Sequence, residues 1–152
     1  VAHCPAARGF RGTAERDCRP EKARRRVTTY IIDSDCAVYA MTGQFPGPGT
    51  RIAACKRGDI ATSATTCAEI ALGSYAGKPP PREVLDAFVR AIPLRDFDEA
   101  AARAYATLPF KRARFDRLLA AHALSIGAII ITNNEADFAD VPGLKVENWT
   151  LP

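Results

Sequence analysis

The chain lacks any long apolar run, and its cysteines are odd in number and widely spaced. No stretch approaches the roughly 20 apolar residues that cross a bilayer, and arginines stand where a signal peptide needs an apolar segment. No Cys-x-x-Cys pair occurs, so neither a zinc site nor a disulfide framework is indicated by the five cysteines, Cys4, Cys18, Cys36, Cys55 and Cys67. We therefore expect a cytoplasmic protein that stays in a reducing compartment and does not bind a membrane.

The net charge of +4 is concentrated in the first 26 residues. That stretch holds eight Lys or Arg residues against three Asp or Glu, whereas the rest of the chain holds thirteen against fourteen. It has almost no large apolar residues and no periodicity, so we expect residues 1–26 to be a disordered basic extension. Such an extension either grips RNA or does not belong to the functional protein. The net charge alone is therefore a weak argument for nucleic-acid binding.

Residues 27–150 are predicted to form one domain in which strands alternate with helices. Runs of β-branched and apolar residues predict parallel strands, buried on both faces, at residues 28–32, 60–62 and 128–131. Weaker patterns predict further strands at residues 94–97 and 144–149. The alternation predicts an α/β fold, an α/β/α sandwich with a mainly parallel central sheet of four to five strands.

Capping residues and apolar spacing predict the helices between these strands. Ser63 is a good N-cap for a helix over residues 64–75, and Asp98 is expected to cap a helix over residues 99–108. The Gly and Pro content of residues 43–49 predicts a loop instead. A last helix begins near Phe115, and its apolar spacing predicts that His122 is a buried core residue rather than a general base.

Acidic residues stand at three places in this pattern. Asp33 and Asp35 directly follow the first strand, Glu69 lies among apolar helix residues, and Asp116 is near the start of an apolar helix. Singly, each acid is more often a helix cap or a helix-end charge. Together at one point they would repel each other, and a hard divalent cation with oxygen ligands, Mg²⁺ or Mn²⁺, is the usual resolution. Because no histidine joins them, zinc is not expected.

Four segments of the chain resemble PIN-domain proteins of the VapC toxin family, and they occur in that family's order. They are Tyr30–Asp35, Ser63–Ile70, Phe115–Leu124 and Ile130–Trp149. The resemblance covers essentially residues 28–149. It implies a metal-dependent ribonuclease that cuts tRNA or rRNA, usually a homodimer that a cognate VapB-type antitoxin inhibits.

The resemblance also implies roles for individual residues. Asp33, Glu69 and Asp116 fall on the family's catalytic acidic triad, and Asn134 falls on a more variable polar position. Asp35 stands where the family usually has Asn, so it adds a carboxylate to the predicted metal ligands. Candidates for hydrogen bonds to those ligands or their waters are Ser34, Thr66 and Asn133. Candidates for phosphate contacts, or else members of a solvated basic turn, are Lys111, Arg112, Arg114 and Arg117.

Two other functions stay open at this point. Residues 31–35 also resemble the first motif of haloacid-dehalogenase-like phosphatases, in which Asp33 would be a covalent nucleophile. That family needs a Lys and then an acidic pair after a motif like residues 129–132, and only about twenty residues remain here. The other alternative is a PIN remnant that keeps the fold and only binds proteins, which the departures at Asp35 and Asn134 would favour.

Overall fold

The computed structural model describes residues 28–109, 112 and 114–152 of the chain. The predicted basic extension, residues 1–26, and the predicted phosphate contact Lys111 lie outside the described residues. Within the described part, no helix combines the length and the apolar character that a membrane crossing requires.

A five-stranded sheet with the order β3-β2-β1-β4-β5 forms the centre of the described chain, and every neighbouring pair of strands is parallel. The strands are β1 (Tyr30–Ile32), β2 (Ile60–Ser63), β3 (Leu94–Arg95), β4 (Ile129–Ile131) and β5 (Val146–Glu147). The predicted α/β fold with a parallel sheet of four to five strands is therefore confirmed.

Helices cover both faces of this sheet. They are α1 (Ser34–Thr42), α2 (Pro46–Ala54), α3 (Ala64–Tyr75), α4 (Arg82–Ala91), α5 (Glu99–Tyr105) and α6 (Arg114–Ile126). Successive strand residues point to opposite faces, so Ile31 packs with Leu119 of α6 in one core, and Ile32 packs with residues of α1, α3 and α4 in the other. Both isoleucines are fully buried, as a central parallel strand requires.

Two helix boundaries differ from the prediction. Residues 43–49 do not form a continuous loop, because α2 already begins at Pro46. A proline at the first helical position has its φ angle preset for the helix and loses no hydrogen bond there, so this proline marked a helix start. The helix predicted to run to Leu108 ends at Tyr105, because in a helix continued to Pro109 the proline ring would clash with the carbonyl of Tyr105.

Two strands run directly into helices at the carboxyl edge of the sheet. Asp33 follows β1 and is the N-cap of α1, and Ser63 ends β2 and is the N-cap of α3. Because the strands are parallel, both helix N-termini lie at the same edge. This edge therefore collects side chains from segments that are distant in the sequence.

Candidate metal centre

Asp33 is the most buried carboxylate at the carboxyl edge, with 7% of its surface exposed. Its Oδ1 accepts a hydrogen bond from the backbone N–H of Ser34 at 2.7 Å. Its Oδ2 accepts one from the Thr132 hydroxyl, which follows the neighbouring strand β4, at 2.9 Å. Donors on both oxygens hold the carboxylate in one orientation.

Burial raises the pKa of the Asp33 carboxyl to about 6. The hydrogen bonds from Thr132 and Ser34 lower this pKa, and the charges of Asp116 and Asp35 raise it. Removal from water disfavours the charged form more than the two donors stabilise it. A negative charge at this position is therefore stabilised only in part by the protein groups around it.

Asp116 lies in the first turn of α6 and is half-buried. Burial raises the pKa of the Asp116 carboxyl, and the charges of Asp137 and Glu69 raise it further. Arg117 lowers this pKa, and Asp35 raises it slightly more. The structure thus brings the predicted acids Asp33, Asp35, Glu69 and Asp116 into one region, where their charges act on each other.

These acids do not form a closed cation cage. Among the described residues, no three acidic, histidine or cysteine side chains are grouped tightly enough to hold a metal ion directly. Mg²⁺ usually keeps several of its waters and takes only one or two protein carboxylates. The donor set here consists of carboxylate oxygens, which are the ligands that hard divalent cations such as Mg²⁺ and Mn²⁺ prefer.

Asp137 is a candidate site residue that the sequence reasoning missed. It lies in the 3₁₀ turn Glu135–Asp137, and its charge is the strongest of those that act on Asp116. The predicted ligand Asn134 is exposed and donates its side-chain amide N–H to the Asp137 Oδ2. The signal was available, since Asp137 is an acid shortly after the end of β4, as Asp33 is after β1.

The residues predicted to support the metal ligands have different surroundings. Ser34 contacts Asp33 mainly through its backbone N–H, because its hydroxyl is 3.4 Å from Oδ1. Thr66 is buried in α3, on the helix that carries Glu69. Asn133 donates to the Tyr39 hydroxyl at 3.3 Å rather than to an acid. The side chain that bonds to Asp33 from β4 is Thr132, which was not among the predicted supporting residues.

The predicted phosphate contacts also differ from one another in their exposure to solvent. Arg114 is exposed at the start of α6, and Arg112 is exposed two residues before it, so both are close in sequence to Asp116. Arg117 is only 2% exposed, so the prediction that it contacts phosphate at the surface is wrong. Its position in α6 turns the side chain inward, where it forms an ion pair with Asp140 at 2.6 Å.

His122 is a buried core residue, as its helical spacing predicted. Its Nδ1 is 2.8 Å from the Ser63 hydroxyl, and this hydrogen bond joins α6 to the N-cap of α3. Burial lowers the pKa of His122 below its usual value of 6.5. The side chain therefore helps to hold together the two helices that carry Asp116 and Glu69.

Comparisons with known proteins cover most of the described chain. A family model for the PIN domain matches residues 30–144. The tRNA(fMet)-specific endonuclease VapC of Shigella flexneri is 29% identical over 130 residues, which span 80% of this chain and 98% of that protein. Ribonuclease VapC2 of Rickettsia felis is 27% identical over 130 residues, which span 79% and 97%.

A solved structure supports the same relationship. A chain from the crystal structure of VapBC2 of Rickettsia felis, bound to a DNA fragment from its promoter, matches this fold with a TM-score of 0.69 and 26% sequence identity. The match covers 80% of this chain and 98% of that one.

Proposed function

The chain belongs to the PIN-domain family, and from this premise we propose that it is a Mg²⁺-dependent endoribonuclease toxin of the VapC kind. The observation that carries the proposal is the acidic region at the carboxyl edge of the sheet. There the buried Asp33 is oriented by two hydrogen bonds, and the charges of Asp35 and Asp116 act on it. Such a region is stabilised by a cation rather than by further burial.

In this proposal Asp33, Glu69 and Asp116 are the catalytic residues and hold the cation, with Asp35 beside them. Asp137 takes the fourth position, which the sequence assigned to Asn134, because its charge acts most strongly on Asp116. When bound, Mg²⁺ or Mn²⁺ lowers the pKa of a water and neutralises charge on the scissile phosphodiester.

The other side chains of the site position the acids and the RNA. Thr132 and the Ser34 N–H keep the Asp33 carboxylate in place through their hydrogen bonds. Arg112 and Arg114 are exposed and precede Asp116 by four and two residues, and in this proposal they contact phosphates of the RNA. The site thus provides negative charge for the cation and, next to it, positive charge for the RNA backbone.

The proposed substrate and partners are inferred from those of the relatives. One relative is named as a tRNA(fMet)-specific endonuclease, so tRNA is the first substrate to test and rRNA the second. The matched structure is a VapBC complex, so we propose that a VapB-type antitoxin inhibits this chain. A homodimer and a cytoplasmic location stay predictions.

The test is RNA cleavage by the purified full-length protein with and without Mg²⁺. We expect cleavage that needs Mg²⁺, and a loss of activity in Asp33→Asn and Glu69→Gln. The matched control is Glu83→Gln, which removes an exposed carboxylate on α4 and should keep wild-type activity. Equal activity in all four proteins would indicate a contaminating nuclease.

Two further measurements, of antitoxin binding and of phosphorylation at Asp33, separate the alternatives. An inactive wild-type chain that still binds an antitoxin would favour the non-catalytic PIN remnant. A phosphatase would pass through a phosphorylated Asp33, which direct hydrolysis of RNA does not form. We place the phosphatase hypothesis last, because the family match and the relatives all point to PIN-domain nucleases.

A further inference from the structure

Arg117 is a buried cation directly beside a proposed metal ligand. It follows Asp116 in α6, and only 2% of its surface is exposed. Its Nη2 donates to the backbone carbonyl of Asp137 at 3.0 Å and to the Asp140 carboxylate at 2.6 Å. One guanidinium nitrogen therefore connects the start of α6 to the segment after β4.

These contacts do not show that Arg117 stabilises the fold. The Nε and Nη1 groups of Arg117 are buried, and neither has a hydrogen-bond partner within the described part of the chain. A buried charge costs several kcal/mol in lost hydration, and unpaired donors add to that cost. Apolar replacements of buried ion pairs are often neutral or stabilising. Stability alone therefore does not account for a buried arginine at this position.

The segment that Arg117 holds is the one that carries Asp137. The bond to the Asp137 carbonyl restrains the backbone of the 3₁₀ turn, and the bond to Asp140 restrains the chain three residues later. The side chain of Asp137 is in turn contacted by Asn134. Both the backbone and the side chain of this acid are thus restrained.

We propose that Arg117 is a positioning residue that holds the Asp137 turn against the start of α6, so that Asp137 completes the acidic region around Asp116. The proposal rests on the function proposed above, because it assigns Asp137 to the cation site.

An arginine is suited to this role in a way that a lysine is not. The guanidinium is planar and always charged, so one nitrogen bonds two acceptors in a fixed direction. A lysine at the same position keeps the charge but presents a flexible ammonium, which does not reproduce both bonds with the same geometry. We expect Arg117→Lys to restore part of what Arg117→Met loses.

The test measures Mn²⁺ affinity of the full chain by the electron paramagnetic resonance signal of free Mn²⁺. We expect Arg117→Met to weaken Mn²⁺ binding by about tenfold, as loss of groups that orient metal ligands usually does. Asp137→Asn should weaken it by a similar factor. In the Asp137→Asn background, Arg117→Met should add little, since both changes act through the same turn.

The matched control is Arg103→Met, which removes an exposed arginine from α5 and should leave Mn²⁺ affinity unchanged. Circular dichroism confirms that each variant is folded. If Arg117→Met does not fold, Asp140→Asn tests the same connection, because it weakens the bond to Arg117 while keeping that residue. We expect a smaller loss of Mn²⁺ affinity in this variant.

Two results would refute the positioning role of Arg117 without refuting the proposed ribonuclease function. In the first result, the wild type binds Mn²⁺, and folded Arg117→Met and Asp140→Asn bind it with the same affinity. This result would refute the positioning role but not the metal site. Fully additive losses for Arg117→Met and Asp137→Asn would refute the connection between them. If the wild-type chain binds no Mn²⁺, the proposed function fails and the role fails with it.

Discussion

The two ends of the central sheet carry opposite charges in different environments. At the carboxyl ends of the strands, Asp33 is buried, and the charge of Asp116 acts on it. At the amino ends of β2 and β3, a cavity of about 350 Å³ has apolar residues in its lining and three cations around it, Lys56, Arg57 and Arg90. All three of these cations are exposed to solvent.

This difference shows that burial distinguishes the two ends more than the number of charges does. Solvent screens the cations at the amino end, so their charges cost little. At the carboxyl end, Asp33 is buried and Asp116 is half-buried, and this burial, together with repulsion from neighbouring acids, raises the pKa values of both carboxyls. The carboxyl end is therefore the end at which we propose that a cation binds.

The largest expected effect is on catalysis. Asp116→Asn should reduce the rate of RNA cleavage on the order of 10³-fold, about 4 kcal/mol of transition-state stabilisation. Arg90→Gln, at the opposite end of the sheet, should stay within about twofold of the wild type, as surface changes usually do. Rates are measured at saturating Mg²⁺ on the same tRNA. A large loss in Arg90→Gln would show that the amino end also takes part in catalysis.

The second-largest expected effect is on the stability of the fold, which bound Mg²⁺ should increase. At about 100 times its dissociation constant, Mg²⁺ should stabilise the wild-type chain by about 2.7 kcal/mol. Asp33→Asn should lose most of this gain, whereas Lys56→Gln at the amino end should keep it. Thermal unfolding in EDTA and in Mg²⁺ measures the difference. The same gain in Asp33→Asn as in the wild type would place the cation elsewhere.

The smallest expected effect is on the pH dependence of stability, and it concerns a buried base, His122, instead of the buried acids. Burial lowers the pKa of His122, and the charges of Asp98 and Asp96 raise it while that of Arg95 lowers it. Above pH 6.5 the imidazole is neutral in both states, so it adds no pH dependence. As the pH falls below 6.5, the unfolded chain binds the proton first, and stability decreases until the folded-state pKa is passed.

We therefore expect the melting temperature of the wild type to fall more between about pH 7.5 and about pH 5.5 than that of His122→Gln. Both proteins are measured in EDTA. Asp33, whose raised pKa acts in the opposite direction, is present in both and cancels in the comparison. A parallel decrease in both proteins would mean that His122 is not the group responsible.

Much of the fold was predictable because its signals are local. The apolar pairs Ile31–Ile32 and Ile130–Ile131 indicated buried parallel strands, and all four residues are fully buried. The prolines in the first turn of α2 were misread, since a Gly- and Pro-rich stretch suits a loop and a helix start equally well in sequence. Local patterns thus predict the kind of element better than its exact start.

The site was predictable only in part. Asp33, Glu69 and Asp116 were selected by sequence because each carboxylate adjoins an apolar stretch, and their charges meet in the fold. Asp137 was missed although it follows β4 closely, because only the tertiary structure shows that its charge acts on Asp116. Arg117 was misplaced because a long charged side chain after an acid looks exposed in sequence.

The order of apolar and polar residues alone determined that strands alternate with helices and that acids follow the strands, because both patterns depend on a few neighbouring positions. Tertiary packing decided which acids share one region and that Arg117 is buried against Asp137 and Asp140. The reason is physical. A side chain's burial and partners depend on elements far away in the chain, whose distances no local pattern records.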